Sequence, residues 1–134
     1  MSASATFLYV GNGETRDVSA FALDDQNGDL APIDTFAVPG PTNSCFSFPL
    51  AVSPDKRVLF VVLRNEPWSV RSFAIDAASG RLDYLGFGPL ADNTCYISTD
   101  RTGRFLLSAS YQGNKIAVNP IGSDGIVQAP QQII

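Results

Sequence analysis

Apolar residues in this chain fall in short runs of four to seven, alternating with polar residues or back to back. Nowhere do they keep a helical spacing for three turns. That pattern predicts strands, which we place near residues 7–10, 17–23, 30–37, 48–53, 58–64, 69–75, 82–87, 94–98, 104–110, 114–120 and 126–133. Turn residues separate them, among them Asp55-Lys56-Arg57 and Arg101-Thr102-Gly103.

The runs also repeat. Phe7-Leu8-Tyr9-Val10 aligns with Leu59-Phe60-Val61-Val62 and with Phe105-Leu106-Leu107-Ser108, at offsets of 52 and 46 residues. Eight residues after each set a second run begins, at Val18, Val70 and Ile116, and a glycine turn follows at Gly28, Gly80 and Gly125. Short strands at a period near 50 predict a stacked β-repeat, most simply the blades of a propeller. The expected fold is therefore all-β, with about three four-stranded antiparallel blades over residues 1–40, 41–90 and 91–134. The first blade lacks an innermost strand, so its start at Phe7 reads as the beginning of a ring.

A blade packs both faces of its sheet against neighbours, which explains an unbroken run such as Val58-Leu59-Phe60-Val61-Val62-Leu63. A wedge of three leaves two faces uncovered. Each would expose several hundred Å², more than monomers usually tolerate. Covering one is worth about 10 kcal/mol at about 25 cal/mol per Å². The partner this predicts is further blades, from a longer polypeptide, a second chain or copies of this one.

Composition narrows the function. The net charge is −4, without basic runs, which argues against nucleic acid or an anionic membrane as partner. No segment has the length and apolarity of a spanning helix. The first six residues carry neither a basic nor an apolar signal region, so a cytoplasmic location is expected. There is no histidine and only two cysteines, Cys45 and Cys95, so no metal site is expected. We read the cysteines as small, partly buried thiols near inner strands. Gly11-Asn12-Gly13 opens no helix, which removes the dinucleotide reading, and no cofactor is predicted.

Three strings carry a family resemblance: Ala51-Val52-Ser53-Pro54-Asp55-Lys56-Arg57-Val58-Leu59-Phe60-Val61, the stretch from Cys95 to Leu107, and Ser110-Tyr111-Gln112-Gly113-Asn114-Lys115-Ile116-Ala117-Val118. They resemble the propeller lactonases, which include a bacterial 6-phosphogluconolactonase and fungal carboxymuconate-lactonising enzymes. The resemblance implies the first three blades of a seven-bladed ring and a lactonase-type activity, opening or closing the lactone of an anionic sugar acid or similar small acid. Where the family pattern C-H-x-S has histidine, this chain has Tyr96. The acidic and arginine residues credited with the family's chemistry lie in later blades.

Lactone hydrolysis needs a base or polarised water, and cationic groups that hold the substrate and its developing oxyanion. The candidates for lining a channel are Arg64 at the end of a central strand, Tyr96 on an innermost strand and Tyr111 at the third-blade position matching Arg64. Arg64 could equally pair with Glu66 or stack on Trp68, and the tyrosines could be packed aromatics. Asn12-Gly13-Glu14 matches the Arg64 loop and reads as a polar loop. Asn43-Ser44-Cys45 and Asn93-Thr94-Cys95 lead into inner strands, and without a histidine base neither thiol is an activated nucleophile. Asp55 and Asp100 read as turn caps. Rival readings are a non-catalytic propeller scaffold, a self-assembling repeat module and a fragment of a longer chain.

Overall fold

A computed structural model describes residues 5–43 and 45–134. Eleven strands form three antiparallel sheets, and no helix occurs among the described residues. The first sheet is β1 (Thr6–Asn12), β2 (Asp17–Leu23) and β3 (Leu30–Ala37). The second is β4 (Leu50–Val52), β5 (Val58–Leu63), β6 (Ser69–Ile75) and β7 (Leu82–Pro89). The third is β8 (Tyr96–Thr99), β9 (Phe105–Ser110), β10 (Lys115–Pro120) and β11 (Gln132–Ile133). In the second and third sheets the strands run in chain order across the sheet, and β4 and β8 approach each other at the inner edge.

Two cores lie in the seams between sheets. Leu59, Val61, Leu63 and Phe73 pack against Val18, Val38 and Tyr9 of the first sheet. Phe60, Val62 and Val70 pack against Ile97, Leu106 and Val127 of the third. The middle sheet is thus apolar on both faces, which is why Leu59 through Leu63 are all buried without alternation. The outward face of the first sheet leaves Leu8 and Val10 exposed. That of the third leaves Tyr96, Leu107 and Ile116 exposed.

Local chemistry repeats with the sheets. Asp24 and Asp76 each accept main-chain N–H bonds from the turn they open, and Gly28 and Gly80 close those turns in the left-handed region at φ 81° and 73°. A β-bulge interrupts the outer pairing at Ala20/Phe21 and again at Ser72/Phe73. The second seam has a polar element, the fully buried Asn119. Its amide donates to Pro89 O and Gln128 O, both at 2.9 Å.

Two expectations from the sequence are corrected. The first concerns register. Leu8 and Leu59 occupy matching positions, paired to Phe21 and Phe73, and Leu106 matches them in the third sheet, where Ser108 pairs Ile97 as Val61 pairs Leu50. Phe7 and Phe105 therefore match each other and Val58, so that Leu59 in the expected alignment is one residue out of phase with both, and one residue moves a side chain to the opposite face. The cause of the offset is the loop Arg64–Trp68. Val70 pairs Val62 eight residues earlier, whereas Val18 pairs Gly11 and Ile116 pairs Ala109 at a spacing of seven. The second concerns the last strand, expected over 126–133. Only Gln132–Ile133 pair as strand, and Val127 makes a single bridge to Ile121. Pro130 has no N–H to give, so the chain is held on either side of it, by Gln128 N to Pro120 O and Gln131 N to Val118 O. The inner strands are also shorter than expected, at 50–52 and 96–99.

Candidate functional site

The loops that follow β1, β5 and β9 share one rim with the segments that lead into β4 and β8. Those segments are anchored to the loops. Cys45 N donates to Gly13 O at 3.2 Å, and Asn65 Nδ2 donates to Asn43 O at 3.1 Å. Gly13 permits the approach, because a Cβ there would stand 2.4 Å from Cys45 O. Ser44 lies outside the described residues.

Arg64 is the cation of this rim. It is half-buried; its Nε donates to Asn93 Oδ1 at 2.8 Å and its Nη1 to Ser47 Oγ at 3.1 Å. Asn93 in turn donates through Nδ2 to Gln112 Oε1 at 2.9 Å. One polar line therefore joins the segment before β4, the loop after β5, the segment before β8 and the loop after β9. Arg64 forms no ion pair with Glu66 and no cation–π contact with Trp68 among the described residues. Both of its partners are neutral, so the guanidinium keeps its full charge and its remaining N–H groups for a ligand.

Beside this line, Asp92 fixes the backbone. Its carboxylate accepts from Asn93 N at 2.6 Å and pairs with Lys115 Nζ at 3.1 Å. The Asn93 N–H first, and the Lys115 ammonium second, hold its carboxyl below the usual range. Gly113 rests on it, and a side chain there would have to push the carboxylate aside, since a Cβ would fall 1.7 Å from Asp92 Oδ2.

The other candidates sit apart from Arg64. Tyr96 stands on the outward face of the third sheet, 65% exposed, in an apolar concavity of about 310 Å³ with Leu107, Ile116 and Ile134. Tyr111 is 74% exposed, over a shallow depression shared with Cys95 and Lys115. Asn12 closes its own hairpin by donating to Asp17 Oδ1 and Ser19 Oγ. Cys45 and Cys95 are free, half-buried thiols whose sulfurs contact carbonyl oxygens of Ser47 and Ala109. Asp55 and Asp100 cap the turns after β4 and β8.

Ser47, Asn93 and Gln112 as a connected set are not evident from the sequence. Asn93 and Gln112 lie in polar stretches flanking an inner and a central strand, which is their only signal, and Ser47, between Phe46 and Phe48, gives none. The rim can hold and orient an anion. Its hydrogen-bonded members, Ser47, Arg64, Asn93 and Gln112, include no carboxylate or imidazole to serve as a general base.

Repeated antiparallel sheets with their inner edges together define a segment of a β-propeller. Residues 46–134 match the family described as "Lactonase, 7-bladed beta-propeller", and the chain belongs to that family. It is 39% identical over 127 residues to a 6-phosphogluconolactonase of Serratia proteamaculans, covering 95% of this chain and 36% of that protein. It is 38% identical over 125 residues to a 6-phosphogluconolactonase of Yersinia pestis, covering 93% and 35%. Among solved structures, a periplasmic gluconolactonase of Pseudomonas aeruginosa superposes with a TM-score of 0.78 at 26% identity, over 98% of this chain and 39% of that one. A Bacteroides fragilis structure described as a putative 6-phosphogluconolactonase superposes with a TM-score of 0.83 at 24% identity, over 96% and 35%, and speaks to the fold alone. The chain spans about a third of the length of these relatives.

Proposed function

We propose that this chain supplies three blades of a lactonase that hydrolyses the lactone of an anionic sugar acid, with the remaining blades provided by further polypeptide. The observation that carries the reading is Arg64, a rim guanidinium held by two neutral oxygens and left with its charge uncompensated. An anionic substrate matches that charge, and a guanidinium fork suits either carboxylate or phosphate. In this reading Arg64 binds the acidic group. The phenols of Tyr96 and Tyr111 face the seam that a fourth blade would close, where they contribute hydrogen bonds to the substrate's hydroxyls. The base that activates water comes from a later blade.

The names of the relatives support a sugar lactone as substrate, and the two exposed sheet faces support the need for further blades. The test is hydrolysis of 6-phosphogluconolactone and of uncharged gluconolactone by the ring-completing polypeptide. The charged lactone is expected to react faster, and Arg64→Gln to raise its KM about tenfold while leaving the neutral lactone unchanged. No turnover above the spontaneous rate for either lactone would sink the proposal.

A further inference from the structure

The face opposite the Arg64 rim carries a second concentration of positive charge. Four of the chain's nine lysines and arginines, Lys56, Arg57, Arg101 and Arg104, stand on the two turns that follow β4 and β8. This is unexpected in a chain of net charge −4. The turns touch, with the Cβ position of Gly103 lying 3.3 Å from Pro54 Cδ. Between them and the turn after β10 lies a groove of about 870 Å³. Arg57, Arg101 and Arg104 line it, and Val58, Phe60 and Ile121 give it an apolar component.

The mounting of the guanidiniums is repeated across the seam. Asp55 Oδ1 accepts from Arg57 N at 3.1 Å, and Asp100 Oδ1 accepts from Arg104 N at 3.0 Å. Ser53 Oγ also accepts from Arg57 N, at 3.2 Å, and Thr102 Oγ1 from Arg104 N, at 3.3 Å. Each carboxylate is thus turned inward to its own backbone, as is Asp124, which accepts from Ile126 N at 3.0 Å. None of the three groove arginines forms an ion pair among the described residues. Arg104 Nε donates to the neutral Thr102 Oγ1 at 3.2 Å, and its guanidinium lies 5.9 Å from the centre of the Phe105 ring. The arginines are rooted in fixed turns with no carboxylate at ion-pair distance among the described residues. Asp55 and Asp124 also line the groove, and Asp55 feels the charge of Arg57, but both carboxylates are engaged by backbone N–H groups. The shared field of the arginines is focused by a groove with apolar walls.

From this we propose that the groove between the second and third sheets binds a small organic oxyanion, with phosphate or carboxylate on the guanidiniums and the carbon skeleton against Val58 and Ile121. It is separate from the Arg64 rim and does not depend on the lactonase reading. A ligand there bridges two blades through Arg57 and Arg104, so its binding tightens the seam.

The test is an amide chemical-shift titration of the chain with glucose 6-phosphate, gluconate, inorganic phosphate and glucose. Saturable shifts are expected for residues 53–58, 101–104 and 122–125 with the sugar phosphate, with gluconate, or with both, and none with glucose. The two organic arms separate a phosphate site from a carboxylate site. Arg57→Gln with Arg104→Gln should weaken binding at least about tenfold, while the Lys replacements, which keep the charge but not the planar fork, weaken it less than the Gln pair. Arg64→Gln should leave it unchanged. Shifts confined to the Arg64 rim, equal binding of glucose, or no saturation with any organic anion would overturn the proposal. Failure of lactone turnover would not.

Discussion

Arg64 Nε donates to Asn93 Oδ1 at 2.8 Å, so a cation at the end of β5 is aimed by the segment that leads into the next sheet. That bond sets an experiment in which shape stays nearly constant and charge changes. Asn93→Asp places a carboxylate where an amide oxygen stood and gives Arg64 the acidic partner it lacks, while Gln112 must turn its own amide N–H to the new carboxylate in place of the bond it accepted from Asn93 Nδ2. An oxyanion about 4 Å from a new negative charge loses about 1 kcal/mol even at the dielectric of water, and more at a partly buried rim. The expected result is an increase of about tenfold in KM for an anionic lactone, with kcat and the neutral lactone unaffected. Equal losses on both lactones would show that Asn93 acts on the fold and not on the charge.

Gly28 and Gly80 close equivalent turns with nearly the same φ, yet their surroundings differ. A Cβ on Gly28 meets nothing within 4 Å, whereas one on Gly80 would stand 2.6 Å from Phe7 Cδ1. Gly80 O also accepts the Tyr9 hydroxyl at 2.7 Å, so the turn is part of the first seam. Gly28→Ala should cost about 1 kcal/mol, the strain of the left-handed region alone. Gly80→Ala adds displacement of Phe7 and the Tyr9 hydrogen bond, and should cost about 3 kcal/mol in all. Denaturant unfolding of the two variants decides this. Equal costs would mean that Phe7 and Tyr9 yield freely.

Much of this architecture was legible because each sheet writes its own strand and turn signals. The continuous run Val58–Leu63 told of a sheet covered on both faces, and Asp24/Gly28 and Asp76/Gly80 are the same turn twice. The phase of the repeat was not legible. Apolar residues at Leu59, Phe60, Val61 and Val62 satisfy any register, and the one-residue-longer loop at Arg64–Trp68 shifts the spacing without leaving a gap in the pattern. The site was legible only in Arg64. Ser47 and Asn93 meet it across 17 and 29 residues of chain, Gln112 joins through Asn93 across 19 more, and nothing local in the loops says which distant side chain each will face. Tyr96 was expected to line a channel on the strength of its strand. Alternation along β8 puts it on the outward face of the third sheet, toward the seam a further blade would close.

That outward face makes a prediction about association. Leu107 and Ile116 lie 42% and 54% exposed beside Tyr96, on a sheet face with no neighbour among the described residues. The isolated chain should self-associate, with a native mass above that of the 14.3 kDa polypeptide. Leu107→Glu with Ile116→Lys should reduce this without unfolding the protein, since neither side chain belongs to a seam core. Retention of oligomers by the double variant would point to the opposite flank, at Leu8 and Val10, as the adhesive surface.

Acid should loosen the turn after β8. Asp100 receives N–H bonds from Thr102, Arg104 and Phe105, and the Thr102 hydroxyl is the largest of the influences that hold its carboxyl down, to about 2 from an ordinary 3.8. A carboxyl depressed in the folded state contributes stability above its unfolded pKa. That contribution disappears as pH falls through the folded value. The window for Asp100 is therefore from about pH 4 down to about pH 2. Thermal unfolding across that range should show a falling Tm, as the turn bearing Arg101 and Arg104 loses its cap. Asp100→Asn retains an acceptor oxygen but cannot titrate, so its Tm should start lower at pH 6 and decline less steeply below pH 4. Parallel profiles for the two proteins would assign the acid sensitivity elsewhere, first to Asp55, whose bonds to Ser53 and to Arg57 N lower its carboxyl in the neighbouring turn.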